Sequence, residues 1–363
     1  MPEGWVNVFD VQREAERKLD PGRLGYFSGG AGDELTAREN VDAWRDWRLR
    51  PRQLTGVETV STAVEVLGGP VAAPILVAPV AFQRALDPEG ETAMARAAAA
   101  AGTVMCLSTL ATARPTEVAA AAPGARRWFQ LYPFSDAGIS RALMAEAIEA
   151  GFEAVVLTVD APPGGNREQD RRTGYAIPAE VEIPGIAAAL GRGKPFSVTG
   201  VFDLLTASLT WDDLAGIAAD AGVPLLVKGL LTAEDASLAV EHGAAGVVVS
   251  NHGGRQLDRS VATADALPEI VEAVGRRATV LVDGGIRRGV DVAIGVALGA
   301  DAVLVGRPAI WGLTAGGSEG AEWVLRALAE ELALTLSLLG VAGPRDLSHE
   351  HLRRALATRV YSV

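Results

Sequence analysis

Residues 244–258 read Ala244-Ala245-Gly246-Val247-Val248-Val249-Ser250-Asn251-His252-Gly253-Gly254-Arg255-Gln256-Leu257-Asp258. An apolar run of strand length empties into a loop that carries a histidine, two glycines, an arginine and an aspartate. The 363-residue chain has only 4 histidines. One set between a strand end and a Gly-Gly-Arg turn is a candidate proton acceptor, because the ordinary pKa of imidazole suits that task near neutrality. The guanidinium of Arg255, a little further along, can fork onto a carboxylate or a phosphate.

The same grammar recurs outward from this stretch. Strands are expected at 75–79, 103–108, 128–132, 154–160, 225–228, 246–251, 279–283 and 302–306. Several are rich in Val and Leu without polar alternation, as parallel strands buried on both faces are. Helical patterns fill the gaps at 88–101, 139–150, 211–221, 233–242, 266–274 and 290–298, many ending in Ala-Gly, Gly-Ala or His-Gly as helix C-termini do. This alternation predicts an α/β fold, a (β/α)8 TIM barrel rather than two domains. Residues 1–60, with helices expected at 8–18 and 37–46, form an N-terminal helical extension packing on a barrel of residues 61–363. An irregular insertion at 176–210, marked by Pro178, Pro184, Gly191, Gly193 and Pro195, is expected to be a lid or a mobile loop. The segment holding His349 and His351 reads as a charged C-terminal helix, and His242 as a helix-terminus residue.

Composition narrows the function classes. Hydrophobic residues make up 49% and charged residues 21%, a globular balance with ample material for a core. A net charge of −12 argues against nucleic-acid and anionic-membrane partners. The single cysteine, Cys106 in an apolar run, excludes an internal disulfide or a multi-cysteine metal site and reads as a buried structural thiol. No basic region followed by an apolar stretch opens the chain, and Ala97 to Ala101 is too short to span a bilayer, so a cytoplasmic protein is expected.

In such a barrel the chemistry gathers where the strands end. Those ends offer Pro79-Val80-Ala81, Ser108, Gln130-Leu131-Tyr132, Thr158 with Asp160 and then Arg167, Lys228, His252 with Arg255, Asp283-Gly284-Gly285-Ile286-Arg287-Arg288, and Gly306-Arg307-Pro308. An arbitrary solvated surface need not pair each strand with a functional group. The last two loops combine exposed backbone N–H groups with arginines, at the place where barrels commonly hold a phosphate, so a phosphorylated cofactor or substrate is expected. No Walker A or Gly-x-Gly-x-x-Gly pattern follows a strand, and Gly29-Gly30-Ala31-Gly32 lacks the required context.

Taken together, Tyr26-Phe27-Ser28-Gly29-Gly30-Ala31, Ala78-Pro79-Val80-Ala81, Trp128-Phe129-Gln130-Leu131-Tyr132, Thr158-Val159-Asp160, Lys228-Gly229, Ser250 to Asp258, Asp283 to Gly289 and Gly306-Arg307-Pro308 resemble the FMN-dependent α-hydroxy-acid oxidase/dehydrogenase family. That family includes glycolate oxidase, lactate oxidase and mandelate dehydrogenase. The resemblance implies FMN across the barrel mouth, with its phosphate at Arg287, Gly306 and Arg307. Pro79, Val80, Ala81, Ser108, Gln130, Thr158 and Ser250 would border the flavin, Asp283 with Gly284 and Gly285 the ribityl chain, and Lys228 the N1/O2 edge. It implies further that Arg255, Arg167 and Tyr26 hold a substrate carboxylate, that Tyr132 hydrogen-bonds the reacting hydroxyl, and that His252 is the base, supported by Asp160. On that reading an (S)-2-hydroxy acid becomes the 2-oxo acid with flavin N5 as hydride acceptor, and dioxygen reoxidises the flavin to give hydrogen peroxide. Removal of the α-proton instead stays open, as does a non-oxygen acceptor. The partners implied are a small 2-hydroxy acid, O2 and further copies of the chain in a homo-oligomer, tetramer or octamer.

Two departures bear on the substrate. Leu110 stands where glycolate-type members carry a bulky aromatic, which with Ala81 resembles lactate-type members and leaves room for a larger side chain, an aryl one included. Asn166 precedes Arg167 where a second arginine is usual, which could weaken ordering of that loop. The competing classes are a non-redox isomerase or lyase acting on a phosphorylated metabolite, and a flavin-binding sensor. The intact set His252, Arg255 and Lys228 weighs against the sensor.

Overall fold

The computed structural model describes residues 4–161, 164–178, 181–191 and 200–355. Eight short parallel strands close into a barrel: β1 (Ile75–Val77), β2 (Met105–Leu107), β3 (Arg127–Leu131), β4 (Val155–Thr158), β5 (Leu225–Leu230), β6 (Gly246–Val249), β7 (Thr279–Val282) and β8 (Ala302–Val305). Each pairs with its sequence neighbours, and β8 pairs with β1 to complete the ring. All eight lie inside or beside the segments expected from sequence.

Alternation along the strands divides the core in two. Ile75, Val77, Leu107, Phe129, Val155, Val247 and Val282 belong to the larger cluster, shared with the surrounding helices. The intervening Leu76, Cys106, Trp128, Val156, Leu226, Val248, Leu281 and Leu304 form a second cluster inside the barrel. Apolar side chains on both faces are what makes these strands read as continuous hydrophobic runs. A hairpin of Val64–Val66 and Gly69–Val71, unread in the sequence, contributes Val64, Val66 and Val71 to the inner cluster and closes the end opposite the strand C-termini.

The N-terminal segment is bound into the barrel rim. Helix Val8–Lys18 packs on the long final helix Arg307–Leu339, which breaks at Gly316 and Gly317. Helix Leu35–Arg45 lies over the loops after β6 and β7: Asn40 and Asn251 exchange amide hydrogen bonds of 2.8 Å, and Trp44 Nε1 donates to the Gly284 carbonyl. Its N-cap, Glu34, makes no side-chain cap bond. Asp258 supplies the cap from a distance, its carboxylate accepting from the backbone N–H of Asp33 and Thr36 at 2.9 Å each.

Three sequence expectations change. Residues 349–351 form a short 3-10 turn, and the next three, Leu352–Arg354, pair as an antiparallel strand with Trp47–Leu49, so the segment holding His349 and His351 is not the charged helix expected. Local polarity favoured a helix, but the ladder to a segment three hundred residues away prevails, with Arg354 lying over the Trp47 ring. The insertion at 176–210 is less irregular than expected: Pro184–Ala189 is helical, buries Ile186 and touches the helix Ala137–Glu149, while residues 179–180 and 192–199, with Gly193 and Pro195, lie outside the described residues. Asn166, expected to loosen its loop, accepts from Arg171 through its side chain and from Gly32 through its carbonyl. Among the described residues no helix is long and apolar enough to cross a membrane.

Replacing Asp258 by Ala should uncap helix Leu35–Arg45 and lower unfolding stability by about 1–2 kcal/mol, measured by urea titration. An unchanged midpoint would mean that the remote cap contributes nothing.

Candidate active site

Continuing the inner face of each strand past the apolar layer gives, at the next inward position, Ala78, Ser108, Gln130, Thr158, Lys228, Ser250, Asp283 and Gly306. All are at least largely buried, and except for Ser250 they line a single cavity at the C-terminal mouth. One further inward step gives Tyr132, Asp160 and His252. The cavity also takes in Tyr26, Pro79, Val80, Ala81, Leu110, Arg167, Arg255, Gly284, Gly285, Arg287 and Arg307, and encloses about 1220 Å³ including its open mouth.

Ser250, like Asp160 among the sequence candidates, does not line the cavity. It is fully buried behind the wall, where its hydroxyl accepts from Lys228 Nζ at 2.9 Å and from the His252 backbone N–H at 3.1 Å. Its place is to fix those two residues.

His252 sits at φ 58°, a left-handed conformation a histidine adopts only at some cost. Ser250 and Asn251 hold it there: the Asn251 side chain accepts from the Gly254 N–H. Gly254 itself has φ 75°, and a Cβ there would come within 2.5 Å of the Ala37 backbone. His252 Nδ1 meets Asp160 Oδ1 at 2.9 Å. Burial pushes the Asp160 carboxyl up, but the charge and hydrogen bond of His252 and the charge of Lys228 outweigh it, leaving it below the ordinary carboxylate range. An ionised Asp160 accepts a proton at Nδ1, which fixes the ring and makes Nε2 the atom available for proton transfer. Burial raises the Tyr132 hydroxyl far above its usual range, with Asp160 adding to the effect, so Tyr132 stays protonated and donates.

Lys228 is buried 3.3 Å from Asp283 Oδ2; desolvation opposes its charge, but Asp283 and Asp160 more than restore it. It precedes a bulge at Gly229, φ 110°, where a Cβ would lie 2.7 Å from the Asp160 side chain. A glycine is therefore required for the strand bearing the lysine to pass the carboxylate.

The arginines fall in two groups. Arg167 and Arg255 flank the Tyr26 ring, with guanidinium carbons 5.1 and 5.2 Å from its centroid. Arg255 is anchored through Nη1 on the carbonyls of Tyr26 and Gly29, and Arg167 is tied to Asp170 at 3.4 Å. Arg287 and Arg307 occupy the other end. Burial depresses Arg287 to about 10 and Arg307 to about 9, the latter aided by repulsion from Arg255 and Arg287. Arg307 spends Nη1 on the Gly253 carbonyl and Nη2 on that of Gly29, while its buried Nε has no partner among the described residues. Asp291 does not neutralise them through an ion pair; it accepts from the backbone N–H groups of Arg287 and Arg288. Two largely buried cations with no ion-paired carboxylate among the described residues call for an anionic ligand.

Other polar atoms along the wall are orphaned in the same way: Gln130 Nε2, Thr158 Oγ1 and Asp283 Oδ1 are buried without partners among the described residues. A ligand with both hydrogen-bond donors and acceptors could satisfy all three. A phosphorylated flavin fits this wall: an anion at one end, a hydrogen-bonding edge along Gln130, Thr158 and Lys228, and polyol hydroxyls within the range of Asp283.

Sequence reading missed several contributors. Phe202, 42% exposed on a short turn in the 176–210 insertion, lines the cavity. The Gly29 carbonyl, in a glycine run given no role of its own in the site, takes hydrogen bonds from both Arg255 and Arg307. Gln256 links the rim by donating to the carbonyls of Asp160 and Ala161. Cys106 is buried with its thiol pushed up by desolvation and takes no part, and His242 Nδ1 bonds the Leu238 carbonyl at a helix end.

The profile of a family described as FMN-dependent dehydrogenase matches residues 15–354. The chain belongs to that family. It is 44% identical over 351 residues to an L-lactate oxidase of Nostoc sp., covering 94% of this chain and 96% of the relative. It is 41% identical over 352 residues to glycolate oxidase of Spinacia oleracea, covering 96% and 95%. Among solved structures, a mandelate oxidase variant with (S)-mandelic acid superposes with a TM-score of 0.89 at 39% identity, covering 98% of this chain and all of that one. A lactate oxidase of Pediococcus acidilactici gives 0.92 at 34% identity, covering 98% and 96%. The cofactor is accordingly FMN, an enzyme's redox group.

An anion restores the depressed pKa of Arg307, so above about 9 its binding must take up a proton. The preference of the apoprotein for FMN over riboflavin should therefore be level below pH 9 and fall, by up to roughly tenfold per pH unit, above it. Parallel fluorescence titrations from pH 7 to 10.5 measure the ratio; a flat ratio throughout would rule out a titrating arginine at the phosphate.

Proposed function

We propose that the protein is an FMN-dependent oxidase of (S)-2-hydroxy acids carrying an apolar side chain, converting them to 2-oxo acids with dioxygen as electron acceptor. The observation that carries this reading is the pairing, in one cavity, of the His252–Asp160 base with the Arg167–Arg255 cation pair beside a wall of unsatisfied polar atoms. The names of the relatives support it: L-lactate, glycolate and mandelate oxidases are all oxidases of 2-hydroxy acids, two of them described with the L or (S) form.

Arg287, Gly306 and Arg307 would hold the FMN phosphate, Asp283 with Gly284 and Gly285 the ribityl chain, and Ala81, Ser108, Gln130, Thr158 and Lys228 the ring. Bound there, FMN supplies a two-electron acceptor for oxidation of the substrate's C–H bond.

The remaining chemistry belongs to side chains. Arg255 and Arg167 bind the substrate carboxylate, which relieves the repulsion that helps depress Arg255 in their unfilled pair. Tyr132 donates to the hydroxyl oxygen, and His252 Nε2 takes the proton that leaves the substrate. The imidazolium so formed lies against ionised Asp160, already in place and requiring no reorganisation. Lys228, held charged by Asp283, opposes negative charge developing on the ring edge it faces. No counterpart of this base and carboxylate clamp is needed by a phosphate-binding isomerase, and that class is set aside on this ground. Leu110, Ala81 and Phe202 give the substrate side chain apolar walls, which favours lactate-like or aryl acids over glycolate.

His252→Ala should keep FMN yet slow anaerobic loss of flavin absorbance on adding substrate by roughly 10²–10⁴-fold, the usual worth of a general base. Release of the flavin in that variant would make the residue's role structural. Leu110→Trp should raise KM for side-chain-bearing acids while sparing glycolate, by steady-state oxygen uptake; equal loss on all acids would remove Leu110 from the side-chain pocket.

A further inference from the structure

Arg287 presents an unusual accounting. Its guanidinium is buried, 9% exposed for the residue, and among the described residues the one hydrogen bond it makes runs from Nη1 to its neighbour's carbonyl, Ile286 O, at 2.9 Å. The nearest acid, Asp291, is committed to backbone N–H groups. What fixes the direction of this side chain is a ring: its guanidinium carbon lies 4.8 Å from the centroid of Trp311.

Trp311 stands in the second turn of helix Arg307–Leu339, whose first residue is Arg307 itself. The indole is thereby rigidly linked to the other cation of the pair, and at 3% exposure it has no room to swing. Its own Nε1–H is buried without an acceptor among the described residues. An orphaned donor of that kind is destabilising, a cost that a phenyl ring filling the same space would not incur. What the indole offers in exchange is the strongest cation–π face of the aromatic side chains, in a desolvated setting where such contacts are worth most.

We propose that Trp311 is a positioning residue for the cofactor: its ring holds the Arg287 guanidinium aimed at the cavity, ready for the phosphate of FMN. The inference rests on the reading that Arg287 contacts that phosphate. Its consequence is selectivity: the contact strengthens binding of FMN and leaves riboflavin, which lacks the phosphate, unaffected. A substitution that only disturbs the fold near the barrel mouth weakens both flavins together.

The test measures dissociation constants of FMN and riboflavin for the apoprotein by quenching of flavin fluorescence, in wild type, Arg287→Met, Trp311→Leu and Trp311→Phe. Trp311→Leu should weaken FMN by roughly three- to thirtyfold, the range of a desolvated cation–π contact, with riboflavin changed less than twofold. Trp311→Phe should recover part of the loss, and Arg287→Met should be selective for FMN by at least as much as Trp311→Leu. Equal weakening of both flavins by Trp311→Leu, or no weakening of either, overturns the positioning role. If Arg287→Met fails to discriminate between the flavins, the phosphate reading of Arg287 falls and the proposal with it. If Trp311→Leu does not fold, Trp311→Phe decides alone: a smaller FMN-only loss supports the role, and no loss or a shared loss contradicts it.

Discussion

Everything at the mouth of this barrel depends on one constraint, the strict alternation of side chains along eight strands that close on themselves. A closed ring has no free face. One set of residues must fill the interior and the other must meet the helices, so both are apolar for as long as the strands run. Where they stop, the inward set meets an opening instead of a packed layer, and polarity becomes affordable. Lys228, Asp283, Thr158 and Gln130 follow the apolar Leu226, Leu281, Val156 and Trp128 in this way, and Tyr132, Asp160 and His252 continue the series.

The second organising force is charge without counter-charge. The cavity gathers Arg167, Arg255, Arg287 and Arg307 and the buried Lys228; among the described residues Asp283 and Asp160 offset Lys228, Asp170 pairs with Arg167, and Asp291 and Glu34 offset Arg287 and Arg307 through proximity alone. The excess is divided between two ends, one cation pair at each. A ligand set with a phosphate and a carboxylate closes both deficits, as FMN and a 2-hydroxy acid would. The N-terminal segment links the two ends, since a single carbonyl, Gly29, accepts from both Arg255 and Arg307.

Much of this was legible in the sequence, for a physical reason. Strands buried on both faces announce themselves as short Val/Leu runs, and the residues just beyond them gather at the barrel mouth, so reading the strand ends picked out His252, Lys228 and Arg287, which line one cavity, and Asp160, which bonds His252. What stayed hidden depends on contacts between distant segments. Nothing local marks Asp258 as the cap of helix Leu35–Arg45, or Asn40 as the partner of Asn251. The polar stretch at 349–354 favoured a helix until Trp47–Leu49 drew it into a ladder. Ser250 stands at an inward position like its neighbours, yet Lys228 and His252 claim its hydroxyl, which takes it off the cavity wall. Phe202 approaches the cavity from an insertion whose sequence carries no periodic signal.

The central claim, that one cavity couples a flavin to a 2-hydroxy acid through His252, is met most directly by anaerobic titration of the purified yellow protein with (S)-lactate and (S)-mandelate. The account predicts stoichiometric loss of flavin absorbance with one 2-oxo acid formed per flavin, and full return of colour with hydrogen peroxide on admitting air. A protein that binds FMN but keeps its absorbance with every 2-hydroxy acid tried, or one that binds no FMN at all, would contradict it.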